Sequence, residues 1–255
     1  MNTETQLQRS PYEGMKRVVL FNWPLYVIAA VATIGCFMLS TVVPPPWRLI
    51  LLVASVAAVV QTSLSLFASH AVYDLSPMHH WQWLKEIAPV PADRILNIHS
   101  GYDETSGALM NVFADAEISV IDLYPALKRR EPSIERARKF YPPTSVPICS
   151  TMTDWPVEDA SQDLVLLAFA AHELRSHEGR TQLMKLAGKA VKENGKIVLV
   201  EHLRDLPNAV VYGPGFLHFM SMQEWMNCIT DAGLSAVKRR KFTPFVEVFI
   251  ICRPV

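Results

Sequence analysis

The chain has 255 residues, with 24 Lys+Arg balancing 24 Asp+Glu, so it is long enough for one ordinary domain plus an extra segment. Its formal charge of zero gives no electrostatic footprint for nucleic acid. An apolar content of 50% and a mean hydropathy of +0.17 exclude a disordered or collagen-like chain.

The apolar residues crowd towards the start. No charged side chain occurs from position 18 to 47, nor from 49 to 69. The stretch 18–43 exceeds the roughly 20 residues that cross a bilayer core of about 30 Å, and 49–69 just suffices. Between them, Pro44, Pro45 and Pro46 cannot continue a helix, and Trp47 suits an interface. The pattern predicts a two-helix transmembrane hairpin with both chain ends on one side. Arg9, Lys16 and Arg17 mark that side as cytoplasmic, against Arg48 alone in the turn. A signal peptide would need a shorter apolar core and a small-residue cleavage site. Two helices buried in a soluble core are the other reading of the pattern. No charge sits at mid-membrane, which argues against ion transport.

The predicted organisation is a cytoplasmic tail over 1–17, the hairpin over 18–70, an aromatic-rich connector over 71–93 and an α/β domain over 94–255. In the connector, Tyr73, Trp81 and Trp83 read as interfacial anchors or as packing residues. A helical look covers 78–87. The domain then alternates β-branched runs with helical segments. Strands are expected at 94–98, 118–123, 146–149, 163–169 and 196–202, and helices at 104–114, 126–140, 178–192 and 221–232. The run 163–169 is hydrophobic throughout, as a strand covered on both faces should be. Ser221 followed by Glu224 forms a capping box. Two final strands, 234–242 and 244–254, have no helix between them and read as an antiparallel pair at a sheet edge. The fold class is therefore α/β, a Rossmann-like doubly wound sheet with a terminal antiparallel pair, and its ligand belongs beyond the carboxyl ends of the strands.

The four cysteines (Cys36, Cys149, Cys228, Cys252) show neither zinc spacing nor a disulfide framework. The loop HSGYDETSG after the first strand lacks the glycines of a dinucleotide fingerprint, and Glu104 would oppose a pyrophosphate. The chain also lacks a Gly-Lys-Ser/Thr phosphate loop and a Gly-x-Ser-x-Gly elbow.

Five segments in order resemble the class I S-adenosylmethionine-dependent methyltransferases: ILNIHSG, VIDL, STMTDWPVEDASQDLVLLAFAAHELR, ENGKIVLVEHLRD and QEWMNCITDAGLSAVKRRKF. The resemblance runs from Ile95 to the C-terminus, and its closest flavour is the small-molecule group that includes quinone-biosynthesis C-methyltransferases. It implies S-adenosyl-L-methionine as cofactor. It also implies that Asp122 holds the ribose hydroxyls, Gly101 lets the backbone approach the methionine part, and Met152 lies beside adenine with Thr151 at the adenine amine. Asn97, His99 and Asp103 stand where the family has an acidic residue and two glycines, so Asp103 or Glu104 would replace the acidic contact to the cofactor's amino group. Tyr73 or Tyr102 would bind the cofactor carboxylate, the connector would form a lid, and Leu123 and Phe169 complete the implied cofactor set.

Methyl transfer needs alignment, exclusion of water and often a base. His172, Glu173, Glu201, His202 and His218 all map to the rim at the strand ends, with His172 the first candidate base, then His202 and His218, and Glu173 or Glu201 orienting one of them. No histidine pair has metal-ligand spacing on one helix, so no metal is expected; His172 and His177 are five apart rather than four. Phe216, Phe219, Met220, Met222 and Phe245 form an apolar wall, which with the anchor points to a lipophilic acceptor. The rival readings are a catalytically inactive membrane-tethered scaffold and a dehydrogenase on the same layered fold. Oligomeric state is open.

Overall fold

The computed structural model describes residues 10–142, 148–149, 152–153 and 155–254. Helix α1 (Glu13–Ser40) and helix α2 (Trp47–His70) form an antiparallel hairpin, and both are long and apolar enough to cross a membrane. Leu25, Ile28, Val31 and Ile34 on α1, and Leu49, Val53 and Val56 on α2, are all exposed. The alternative of two helices buried in a soluble core is therefore excluded for these faces. A break at Asn22 precedes Pro24, which has no N–H to give; Asn22 Nδ2 donates to the Val18 carbonyl there. The first turn of α1 is capped from the connector. Asp74 accepts from the Gly14 and Met15 amides at 2.6 and 3.0 Å, and His70 Nδ1 lies 2.9 Å from the same carboxylate.

The connector continues in short helical turns at Ala71–Leu75, Pro77–His80 and Gln82–Glu86. Trp81 and Trp83 are not interfacial anchors. Both are buried, and Trp83 Nε1 donates to the Met78 carbonyl while its ring packs on Phe242. An indole with a partner for its N–H is cheaper inside than at a surface already supplied with apolar residues.

The domain follows as β1 (Arg94–His99), α3 (Ser106–Val112), β2 (Glu117–Asp122), α4 (Pro132–Phe140), β3 (Ile148–Cys149), β4 (Gln162–Ala168), α5 (His177–Ala190), β5 (Val191–His202), α6 (Leu206–Tyr212), α7 (Met222–Asp231), β6 (Ser235–Thr243) and β7 (Val246–Cys252). One seven-stranded sheet runs in the order β3-β2-β1-β4-β5-β7-β6, parallel except that β7 is antiparallel to both its neighbours, β5 and β6. Alternate side chains serve two cores. Leu96, Ile98, Val165, Leu167, Ile197 and Leu199 face α5 and α7, whereas Ile95, Leu164, Leu166, Val198 and Val200 meet the connector and α3.

The bounds differ from expectation in instructive places. α4 starts at Pro132 rather than 126, because Pro125 sits in a separate short turn at Tyr124–Ala126. β5 begins at Val191, five residues early, with a register shift opposite β4 that brings Gly195 so close to the Gln162 carbonyl that a Cβ would lie 2.9 Å from it. Helix α6 was not expected. Of the predicted third strand, positions 146 and 147 lie outside the described residues.

The sheet order reverses between β1 and β4, and the loops after these strands are tied by Ser100 Oγ donating to the Ala170 carbonyl at 2.8 Å. That crevice is where ligands bind in open α/β sheets.

Candidate active site

The carboxyl end of β1 carries the departures from a glycine loop. Asn97 is fully buried, and its Nδ2 donates to Ser106 Oγ and Asp103 Oδ1. Its own Oδ1 has no partner among the described residues. Asp103 Oδ1 also accepts from the Thr105 and Ser106 amides, so this carboxylate caps α3. His99 is buried, which lowers its pKa despite Asp122 at 3.6 Å, and its Nδ1 accepts from the Gly101 amide. Gly101 has φ +100, and a Cβ there would lie 2.7 Å from both Tyr124 and Ile134. Only glycine fits this close approach.

Asp122, at the end of β2, is 1% exposed. Its Oδ1 accepts from the Tyr124 amide at 2.9 Å and its Oδ2 from Arg138 Nη1 at 2.6 Å. The same Arg138 nitrogen donates to the Gly101 carbonyl, and its guanidinium lies over the Tyr124 ring. Leu123 is buried, and Met152 packs against the core. Thr151 lies outside the described residues. Tyr102 turns towards the hairpin, where its hydroxyl accepts from Arg17 at 2.7 Å and its ring meets Phe21 and Tyr141. Glu104 sits near enough to raise the pKa of Tyr102, after burial. Phe169, just after β4, has φ +51, a left-handed backbone that a bulky residue rarely adopts. Its ring contacts both Tyr73 and His202.

Beyond β4 and β5 the polar rim assembles. Glu201 is fully buried at the end of β5 and accepts from the Ala171 and His172 amides through Oε1. Its Oε2 lies 2.7 Å from His172 Nδ1. On the other edge of the ring, Nε2 is 3.3 Å from Glu173 Oε1, which is also 3.5 Å from His218 Nε2. The His172 and His218 rings meet edge to face with centroids 5.1 Å apart. Burial opposes charge on His172, but Glu201 and then Glu173 overcome it and push the pKa up to about 10. Glu173 is likewise resisted by burial, yet hydrogen bonds from His172 and His218 hold it at about 2. Its second oxygen is buried with no partner among the described residues.

His202 does not join this cluster. Its Nδ1 donates to the Phe245 carbonyl at 2.9 Å, so Nε2 accepts from the Tyr73 hydroxyl at 2.9 Å. Burial drops its pKa to about 4. A neutral ring with both nitrogens engaged and a face stacked on Phe219 is a clasp between connector and sheet rather than a base. Tyr73 thus bonds His202 and meets the Phe169 ring, and it lies near enough to Glu104 of the loop after β1 for that carboxylate, after burial, to help raise its pKa.

Sequence reasoning missed three arginines. Arg138 is described above. Arg175 Nη1 donates to the His218 carbonyl, and Arg204 donates to the Leu217 and Phe219 carbonyls. The latter two pin the Gly213–His218 turn and so fix His218 over Glu173. The paired sequences HELR and EHLR, each closing a strand-end loop, carried that signal.

Among the described residues, two groups have metal-ligand spacing: His172, Glu173 and His218, and His177, Glu224 and Cys228, with ligand atoms within 4.8 Å of one another in each. In the first, Nε2 of His172 carries a proton at neutral pH that a metal would displace. In the second, Glu224 is already bonded to Arg180 and His177 to Asp231, which ties α5 to α7.

No family model matches the chain, and no curated protein matches it in sequence. Among solved structures, the chain is similar to the pyocyanin biosynthetic protein PhzM, with a TM-score of 0.56 and 15% identity over 94% of this chain and 73% of that one. It is also similar to a SAM-dependent methyltransferase from Aquifex aeolicus, with a TM-score of 0.52 and 15% identity over 75% of this chain and 97% of that one. These likenesses, with the strand order above, show the fold: it is that of the class I S-adenosylmethionine-dependent methyltransferases.

Proposed function

We propose that this chain is a membrane-anchored S-adenosyl-L-methionine-dependent methyltransferase that acts on a small lipophilic acceptor at the cytoplasmic face. The observation that carries the proposal is His172, clamped between Glu201 and Glu173 beyond the carboxyl ends of β4 and β5 on this fold.

The residues after β1 and β2 fit the cofactor. Asn97 Oδ1 is an orphaned acceptor, and Asp122 stands at the strand end where ribose hydroxyls need a carboxylate; Gly101 is required by the packing of Tyr124 and Ile134 against its loop. Arg138 covers that carboxylate, and its contact with Tyr124 gives it a second place to rest when it is displaced. When bound, the cofactor supplies an electrophilic methyl group on a sulfonium. The chain's own work is orientation and proton handling. Glu201 fixes the His172 ring through Nδ1–H, which leaves Nε2 as the acceptor atom for a substrate proton once its resident proton has left. Glu173 and the partly exposed His218 connect Nε2 to solvent and form the exit for that proton. Phe216 and Phe219 on the adjacent turn, with Phe245, supply apolar contact for the acceptor.

The test is calorimetric titration of the full chain in detergent with S-adenosylhomocysteine, followed by transfer of labelled methyl to membrane lipids, quinones and phenols. Binding that survives His172→Gln, with transfer abolished, supports the proposal. The buried Asp122–Arg138 pair favours a second reading, a tethered scaffold without turnover, and a folded chain that binds neither cofactor form would establish it.

A further inference from the structure

The hairpin and the domain are not stacked end to end. Gln61 Nε2, well inside α2, donates to the Val210 and Val211 carbonyls at 3.2 and 2.9 Å, so α6 lies against the flank of a helix expected to be in lipid. The level of this contact follows from the register of the hairpin. Ser55 Oγ donates to the Thr33 carbonyl, so antiparallel residues whose numbers sum to about 88 lie side by side. Trp23 then sits level with Ser65, and Trp47 with Thr41. Eighteen residues separate Trp23 from Thr41, about 27 Å at 1.5 Å per residue and close to a hydrocarbon core of about 30 Å. Both tryptophans are exposed and fall at its two boundaries.

The charged contacts between hairpin and domain stay outside that layer: Arg17 on Tyr102, and Arg136 on the Phe21 carbonyl. Gln61 does not. It lies four residues below Ser65, about 6 Å inside the near boundary. Around this contact the domain presents apolar side chains to the outside: Leu206 is 76% exposed, Val210 52% and Leu217 57%. An apolar group held about 5–10 Å deep is the geometry of an interfacial helix.

We propose that α6 and the Gly213–His218 turn are embedded in the near leaflet, making a second membrane contact beside the hairpin and opening the catalytic rim to lipid. The inference rests on the membrane-anchored reading above. Leu217 precedes His218, whose ring meets His172 and Glu173, so an acceptor dissolved among acyl chains reaches the rim along this turn without crossing water. Gln61 and the carbonyls it binds satisfy one another, as backbone at such a depth requires.

The experiment places nitroxide labels on the full chain in phosphatidylcholine–phosphatidylglycerol nanodiscs, in a background with Cys36, Cys149 and Cys252 changed to Ser and the buried Cys228 kept. Labels at Leu206→Cys, Val210→Cys and Leu217→Cys are compared with Val56→Cys in the hairpin and Val237→Cys on β6, at the opposite end of the sheet from the rim. Collision with oxygen is measured against collision with a water-soluble nickel chelate. The three test sites are expected to show an oxygen preference several-fold above Val237 and below Val56. Test sites that match Val237 while Val56 faces lipid would overturn the embedding and leave the anchor standing. Sites shielded from both reagents would also overturn it and indicate a second copy on this face. A water-facing Val56 would remove the anchor itself.

Discussion

Arg138 and Asp122 form a bidentate-capable pair in which only one nitrogen is used: Nη1 lies 2.6 Å from Asp122 Oδ2 and 3.2 Å from the Gly101 carbonyl. One guanidinium thus ties together the two strand-end positions that the resemblance assigns to the cofactor. The arginine is partly exposed and has an aromatic face to fall back on, whereas the carboxylate is buried.

If the arginine and the ribose compete for this carboxylate, Arg138→Ala should tighten S-adenosylhomocysteine binding by about 1 kcal/mol, roughly fivefold. Asp122→Ala should abolish it. Calorimetry on both variants, with thermal melts to verify folding, measures the effect; weaker binding in Arg138→Ala would make the arginine part of the site.

The proton on His172 predicts the pH dependence of turnover. The raised pKa, about 10, keeps Nε2 protonated at neutrality, so kcat/KM for the free enzyme should climb through the alkaline range towards that value. Glu173 is one of the causes of the rise. Glu173→Gln should therefore move the limb towards neutral pH, and a profile unchanged by the substitution would separate Glu173 from the base.

Glu201 holds three donors at once, from two amides and one imidazole. Glu201→Ala leaves the buried His172 cation with Glu173 alone as counter-charge and two amides without their acceptor, and should cost about 3 kcal/mol in unfolding free energy. Glu201→Gln preserves an acceptor for the amides. It should fold, and lose activity by about 10²–10⁴-fold, the range typical of a disabled acid–base group.

Acid should loosen the clasp between connector and sheet. His202 has a folded pKa of about 4 against an ordinary 6.5, so its contribution is fully present above 6.5 and is lost progressively as the pH falls towards 4. The loss is at most about 3 kcal/mol. His99, lowered by burial too, acts in the same direction. Glu173 does not contribute in this window, because its stabilisation fades only below the usual carboxylate range, towards about 2, whereas His172, raised to about 10, gains stability as the pH falls through 6.5 and offsets part of the drop. Chemical denaturation at pH 7 and pH 5 should show the drop, and His202→Gln should reduce it.

The sheet was legible because its strands are apolar on both faces and separated by amphipathic helices; Leu164 to Leu167 could hardly be anything but a central strand. Half of the capping box formed: Ser221 Oγ accepts from the Glu224 amide at 3.1 Å, while the Glu224 carboxylate turns to Arg180 and His177. Proximity of His172, Glu173 and His218 was legible because topology alone brings strand ends together. The partition among the histidines was not. His202 is set apart by a tyrosine 129 positions earlier, a distance over which no periodicity speaks. Helix α6 was missed because seven residues beginning Leu-Pro and ending at a glycine carry too little pattern, and its neighbour Gln61 read only as a polar residue in lipid.

The carboxylate of Asp74 has a consequence for anyone wishing to work with a soluble fragment. It caps the first turn of α1 from a point just past α2, and so closes the hairpin into a ring with the domain. Cutting the chain after His70 would strip the carboxylate of its amide partners, Tyr102 of Arg17, Arg136 of its carbonyl and the α6 carbonyls of Gln61 in a single step. The hairpin is thereby one wall of the domain, and what would be trimmed away as a tether carries part of the fold's own scaffolding.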